Sequence, residues 1–99
     1  MILREKDKET IKLIAKKTLI SSLSIWAFGS RVNGDAHSTS DLDLVIVPDD
    51  REKLDIDELM HFKNALQKSN IPIFVQVVDW ARIPRSFHDN ILKNYEILT

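Results

Sequence analysis

The sequence predicts an α+β (α/β) domain: a small mixed β-sheet with helices packed on one face. Three observations carry this. Helical apolar spacing alternates with short apolar runs of strand character. Glycine, proline or small polar residues punctuate most of the switches between them. The resulting order is helix, strand, helix, strand, helix, strand, helix, the pattern of a layered sheet-and-helix domain.

The elements follow in order. From Glu5 to about Ser22, Ile11, Ile14, Ala15 and Leu19 recur at helical spacing, with lysines on the other face. Ser24 to Phe28 is short, apolar and aromatic and stops at Gly29, as a buried strand would. Ser30 starts a short helix that Gly34 ends. Ala36 to Ser40 is small and polar, hence loop. Asp41 to Val47 reads as a strand with Leu42 and Leu44 on one side and Asp41 and Asp43 on the other. Pro48-Asp49-Asp50 is a turn. Asp57 to Lys68, with Leu59, Met60, Phe62, Lys63 and Leu66, is a helix with one apolar face, stopped by Ser69-Asn70. Pro72 opens a third strand, Ile73 to Val78. Trp80 to Ile83 connects to a last helix with Pro84 in its first turn and Phe87, Ile91 and Tyr95 on one stripe. Glu96 to Thr99 either adds a short strand or frays.

Ninety-nine residues fit one domain, residues 1–99. No repeat, linker or low-complexity tract interrupts them. The formal net charge of −1 gives no argument for a nucleic-acid partner. Charge is unevenly spread. Residues 1–20 carry six Lys/Arg and three acids, whereas residues 35–58 carry nine acids and two bases. There are no cysteines, which excludes thiolate zinc sites and a Cys nucleophile and fits a reducing cytoplasm. No apolar stretch is long enough to span a membrane, and no signal peptide is visible.

The chemistry concentrates between Trp26 and Leu44. Gly29 and Ser30 stand where a strand turns into a helix. Glycine lets backbone N–H groups approach a phosphate closely, and the serine hydroxyl can donate to it. Arg31 can add charge-assisted bonds to phosphate, and Ser40 can orient the loop. Asp41 and Asp43 alternate on a strand, so both project one way, roughly 6.5–7 Å apart at Cα. Their like charges call for a cation, and Mg²⁺ takes one or two carboxylates together with phosphate oxygens. Neither half is specific alone. Together they point to a nucleoside triphosphate and a metal. No P-loop or Gly-x-Gly-x-x-Gly motif competes.

Gly29, Ser30, Arg31, Gly34, Ser40, Asp41, Leu42, Asp43 and Leu44, with a second segment Val77-Val78-Asp79-Trp80-Ala81, resemble the minimal nucleotidyltransferases of the DNA polymerase β-like superfamily. The resemblance runs from the first helix to Tyr95. It implies the nucleotidyltransferase fold, metal ligands at Asp41 and Asp43, and Mg²⁺-dependent transfer of a nucleoside monophosphate from ATP or another NTP. It also implies a helical partner of the HEPN or substrate-binding type, as in antitoxins and two-part transferases. An open sheet face and the lack of a substrate domain predict a homo- or hetero-oligomer.

One departure matters. The family places a third acid on the neighbouring strand, and that position falls here on Gln76. Asp79 matches a later family aspartate and, three residues on, faces the other way in a regular strand. Gln76 cannot act as a base, so transfer is expected to be slowed. A contact-only binding module is the alternative. Among the other residues, His37 reads as a solvated loop residue, and His61 and His88 as surface or partner-facing. Trp26 reads as core. Trp80 either stacks on a base or packs beneath the last helix, packing being preferred.

Overall fold

The computed structural model describes residues 3–34 and 40–99. The elements are α1 (Glu5–Thr18), β1 (Leu23–Phe28), α2 (Ser30–Asn33), β2 (Leu42–Pro48), α3 (Ile56–Gln67), β3 (Val75–Asp79), α4 (Arg85–Lys93) and β4 (Tyr95–Ile97), with a 3₁₀ turn at Trp80–Arg82. The sheet order is β3-β2-β1-β4. β1 runs antiparallel to both β2 and β4, and β2 runs parallel to β3. The parallel pair needs a crossover, which α3 supplies.

One face of the sheet builds the main core. Ile25, Ala27, Leu42, Leu44, Ile46 and Val77 pack with Ile11 and Ala15 of α1 and Leu59, Phe62 and Leu66 of α3. The alternation of β2 sends Val45 and Val47 to the opposite face. That face is not fully open, as the sequence led us to expect. Ile91 of α4 packs there with Trp26, Val45 and Val47. Apolar side chains on both faces explain the near-continuous apolar run from Leu44 to Val47. What α4 leaves uncovered is the end of the sheet that carries Asp43 and Gln76.

Several ends differ from the periodic pattern for identifiable reasons. α1 stops at Thr18 rather than about Ser22, with Leu19 extended. The buried Glu58 carboxylate accepts from the N–H groups of Ile20 and Ser21 at 2.7 and 3.0 Å and from Ser21 Oγ at 2.9 Å. Those amides therefore serve a bond to α3 instead of another helical turn. Asp55 caps α3 by accepting from the Glu58 N–H at 3.3 Å. α4 ends at Lys93 because Asn94 is extended. Tyr95 consequently belongs to β4, not to the helical stripe, and the tail adopts the strand alternative.

Candidate functional site

The site forms where the C-terminal end of β1 meets the N-terminal ends of β2 and β3. Phe28 pairs with Asp43, and Asp43 pairs with Gln76. Register partners share a face, so Asp43 and Gln76 stand side by side on neighbouring strands. Gln76 is exposed and Asp43 half-buried. The residue neighbouring Asp43 on β3 is thus an amide, at the strand position where the resemblance calls for an acid.

Gly29 shows how closely the turn approaches. Its φ is +82°, and a Cβ placed on it would collide with the Asp43 carboxylate. Any side chain there meets both steric overlap and backbone strain. The strand-to-helix turn and the second aspartate therefore converge on one spot. Gly29 flanks α2, and Ser30 is its first residue. Gly34, with φ +91°, ends that helix in the left-handed conformation.

Burial pushes the Asp43 carboxyl above the usual carboxylate range, and the neighbouring charge of Asp41 pushes it the same way. The exposed Asp41 immediately precedes β2. Two hard oxygen donors that repel each other and lie in electrostatic reach of one another suit a divalent cation. Among the described residues, no group of three or more His, Cys, Asp or Glu side chains gathers in one place.

Arg31 has a structural task in this turn. It is buried, and its Nε donates to the Ser40 carbonyl at 2.9 Å. It thereby braces the entry to β2 against α2. Asp79 points away from Asp43, as strand parity predicts. It is 2% exposed, accepts from the Leu54 N–H at 2.8 Å and pairs with Arg82 Nε at 3.1 Å. Arg82 also donates to the Leu54 carbonyl at 2.8 Å. Asp79 is a fastener of the loop before α3, on the sheet face away from Asp43. Its side chain also caps the 3₁₀ turn.

Trp80 packs rather than reaching out. It meets Trp26 edge-on, with centroids 5.5 Å apart, and stacks on His88 at 3.8 Å. His88 is held further by a 2.6 Å contact between Nε2 and the Trp80 carbonyl. This histidine is part of a packed pair, which its sequence position did not reveal. His37, like the other loop residues 35–39, lies outside the described residues.

Comparison with known proteins identifies this arrangement. Residues 8–99 match the family model described as polymerase beta, nucleotidyltransferase. The "Probable protein adenylyltransferase MntA" of Haemophilus influenzae is 36% identical over 96 residues, which cover 93% of this chain and 82% of that protein. A crystal structure of a toxin–antitoxin with AMP-PNP superposes with a TM-score of 0.76 at 18% identity, covering 94% of this chain and 73% of its own. A MntA–HepT toxin–antitoxin structure gives 0.71 at 14% identity, covering 97% and 72%. At such identities the two structures establish the fold alone. The chain belongs to the polymerase beta nucleotidyltransferase family. Within that class it is a minimal nucleotidyltransferase.

Proposed function

We propose that this nucleotidyltransferase moves AMP from ATP onto a hydroxyl of a helical, HEPN-type partner protein and acts as the antitoxin of a two-protein system. The observation that carries the site is the approach of Gly29 to Asp43, with Gln76 in register beside them. The choice of reaction is supported by the Haemophilus relative, named as a protein adenylyltransferase, and by the toxin–antitoxin structures of like fold. An ATP donor and a chain without cysteine fit a reducing cytoplasm.

The residues divide the work. Gly29 admits the triphosphate tail to the backbone of the turn. Ser30 donates its hydroxyl to a terminal phosphate oxygen, and Ser40 borders the entry to β2. Arg31 holds that entry in place through the Ser40 carbonyl. Asp41 and Asp43 would hold Mg²⁺, and the strain between their charges fits that role. Mg²⁺ bound there supplies charge neutralisation on the phosphate oxygens. Gln76 presents an amide beside Asp43. It can orient an acceptor hydroxyl but cannot take its proton, which leaves to solvent. The absence of a general base typically costs about 10²–10⁴-fold in rate.

The test is direct. Labelled ATP, Mg²⁺, this protein and its helical partner are combined, and the partner is analysed by mass spectrometry for an added AMP. An unlabelled partner, with both proteins folded, overturns the reading. The exposed Gln76 favours one second reading, neutralisation of the partner by contact alone. In that case the double substitution Asp41→Asn and Asp43→Asn leaves inhibition of the partner intact. Loss of inhibition with the complex still formed rejects it.

A further inference from the structure

The row of side chains that crosses the sheet at the site continues beyond the carboxylates. Reading across the strand order, Gln76, Asp43, Phe28 and Tyr95 are register partners in sequence. They share the face on which the site lies. Phe28 is the side chain next to Asp43, with Cβ atoms about 4.5–5.5 Å apart as in any directly opposed pair. Phe87 of α4 meets Phe28 edge-on, ring centroids 5.7 Å apart. Tyr95 stacks on Trp26 at 4.6 Å and 22°. The metal-and-phosphate corner thus opens directly onto an aromatic surface.

These rings are not simply core. Phe87 keeps 37% and Tyr95 38% of its surface exposed, whereas Trp26, on which Tyr95 stacks, is 9% exposed. Trp26 fixes Tyr95 by stacking on one of its faces. Rings held by other rings lose little freedom when a flat ligand lands on them. A nucleoside triphosphate seated by its phosphates at Gly29 and Asp43 needs a flat apolar surface within reach for its base, because an unstacked base would stay in water. The row provides that surface one strand away.

We propose that Phe28, Phe87 and Tyr95 form the shelf on which the base of the bound nucleoside triphosphate stacks, and that the shelf selects purines over pyrimidines by ring area. This inference rests on the nucleotide reading of the site. Apart from the Tyr95 phenol, the shelf is hydrocarbon, so it discriminates by stacked area more than by hydrogen bonds to the base edge. Adenine and guanine are therefore held similarly, and cytosine and uracil less tightly.

Titration calorimetry of the folded chain in Mg²⁺ tests this with ATP, GTP, CTP, UTP and tripolyphosphate. Tripolyphosphate carries the phosphates without a base. The expected result is purine triphosphates binding about five- to tenfold tighter than tripolyphosphate. That ratio is the low end of base–aromatic stacking, since one Tyr95 face is already taken by Trp26. CTP and UTP fall between. Phe87→Leu with Tyr95→Leu brings ATP close to tripolyphosphate and leaves tripolyphosphate unchanged. As a check that needs no variant, ATP alters the tryptophan emission of the native protein and tripolyphosphate does not. Equal affinity of ATP and tripolyphosphate in the native chain overturns the shelf while sparing the phosphate site. Failure of both to bind overturns the shelf together with the function proposed above. A double variant that loses both ligands equally, or that loses the partner protein and keeps ATP, also overturns it.

Discussion

Replacing Gln76 by aspartate tests the site at its weakest point. The position is exposed and its side chain lies outside both cores, so the change leaves packing alone. Register places the new carboxylate beside Asp43. At about 5.5 Å, two charges repel by roughly 1–3 kcal/mol for an effective dielectric between about 20 and 80. Asp43 already sits above the usual carboxylate range through burial and the Asp41 charge, so the third acid presses on a strained pair. In chelator the Q76D variant is therefore less stable. For a chain of this size about 1 kcal/mol corresponds to roughly 4–8 °C in Tm. Mg²⁺ restores the loss, so the metal-dependent rise in Tm exceeds that of the native protein. Transfer to the acceptor, followed by pyrophosphate release, rises about 10²-fold or more, the range expected when a base is supplied. A folded Q76D with an unchanged metal response and an unchanged transfer rate would refute the placement of Gln76 at the catalytic row.

Three further outcomes follow from the geometry. Gly29→Ala drives a methyl into the Asp43 carboxylate at a positive φ, and it lowers stability by about 1–3 kcal/mol while abolishing Mg²⁺-dependent ATP binding, as denaturation and calorimetry would show. Asp43→Asn abolishes transfer yet stabilises the metal-free fold at neutral pH. Asp43's carboxyl is raised in the folded state, so its stabilising contribution is present below the ordinary carboxylate range and is lost as pH rises through the raised value. Melting curves in chelator accordingly separate the two proteins at pH 7 and bring them together in acid; identical curves at pH 7 would contradict the assignment. Asp79→Ala removes the partner of Arg82 and the acceptor for the Leu54 N–H. The loss is about 2–4 kcal/mol, below the full buried-pair range because Arg82 reaches water. Nucleotide affinity measured well below the melting range stays native-like, and a selective loss of affinity would contradict the placement of Asp79 away from the site.

Much of this was legible in the sequence because it was local. The Gly29-Ser30 turn and the strand that carries Asp43 are short-range patterns, and the structure has a strand-to-helix turn at the first and a strand from Leu42 at the second. The separation of Gln76 from Asp79 followed from strand parity alone, and the register with Asp43 agrees. What escaped depends on distant partners. The end of α1 is set by Glu58, which lies on α3 and takes the amides of Ile20 and Ser21. No reading of residues 5–22 contains that information. The charge of Arg31 is visible in the sequence, but its burial and its bond to the Ser40 carbonyl are not. Tyr95 follows Ile91 by four residues and so satisfies a helical stripe, but pairing with Phe28 claims it for the sheet. The cover that Ile91 gives to Trp26 was hidden for the same reason: a short apolar run cannot say how many of its faces are occupied.

The last strand also bears on how the molecule is made. β4 joins β1, whose residue Phe28 precedes its partner Tyr95 by 67 positions (95 − 28). At ribosomal speeds of about 5–20 residues per second, that interval lasts roughly 3–13 s. Throughout it, the outer edge of β1 offers unpaired backbone to any other nascent strand. β4 acts as a late latch, and substitutions that weaken it are expected to show first as poor recovery of soluble protein rather than as a slower enzyme.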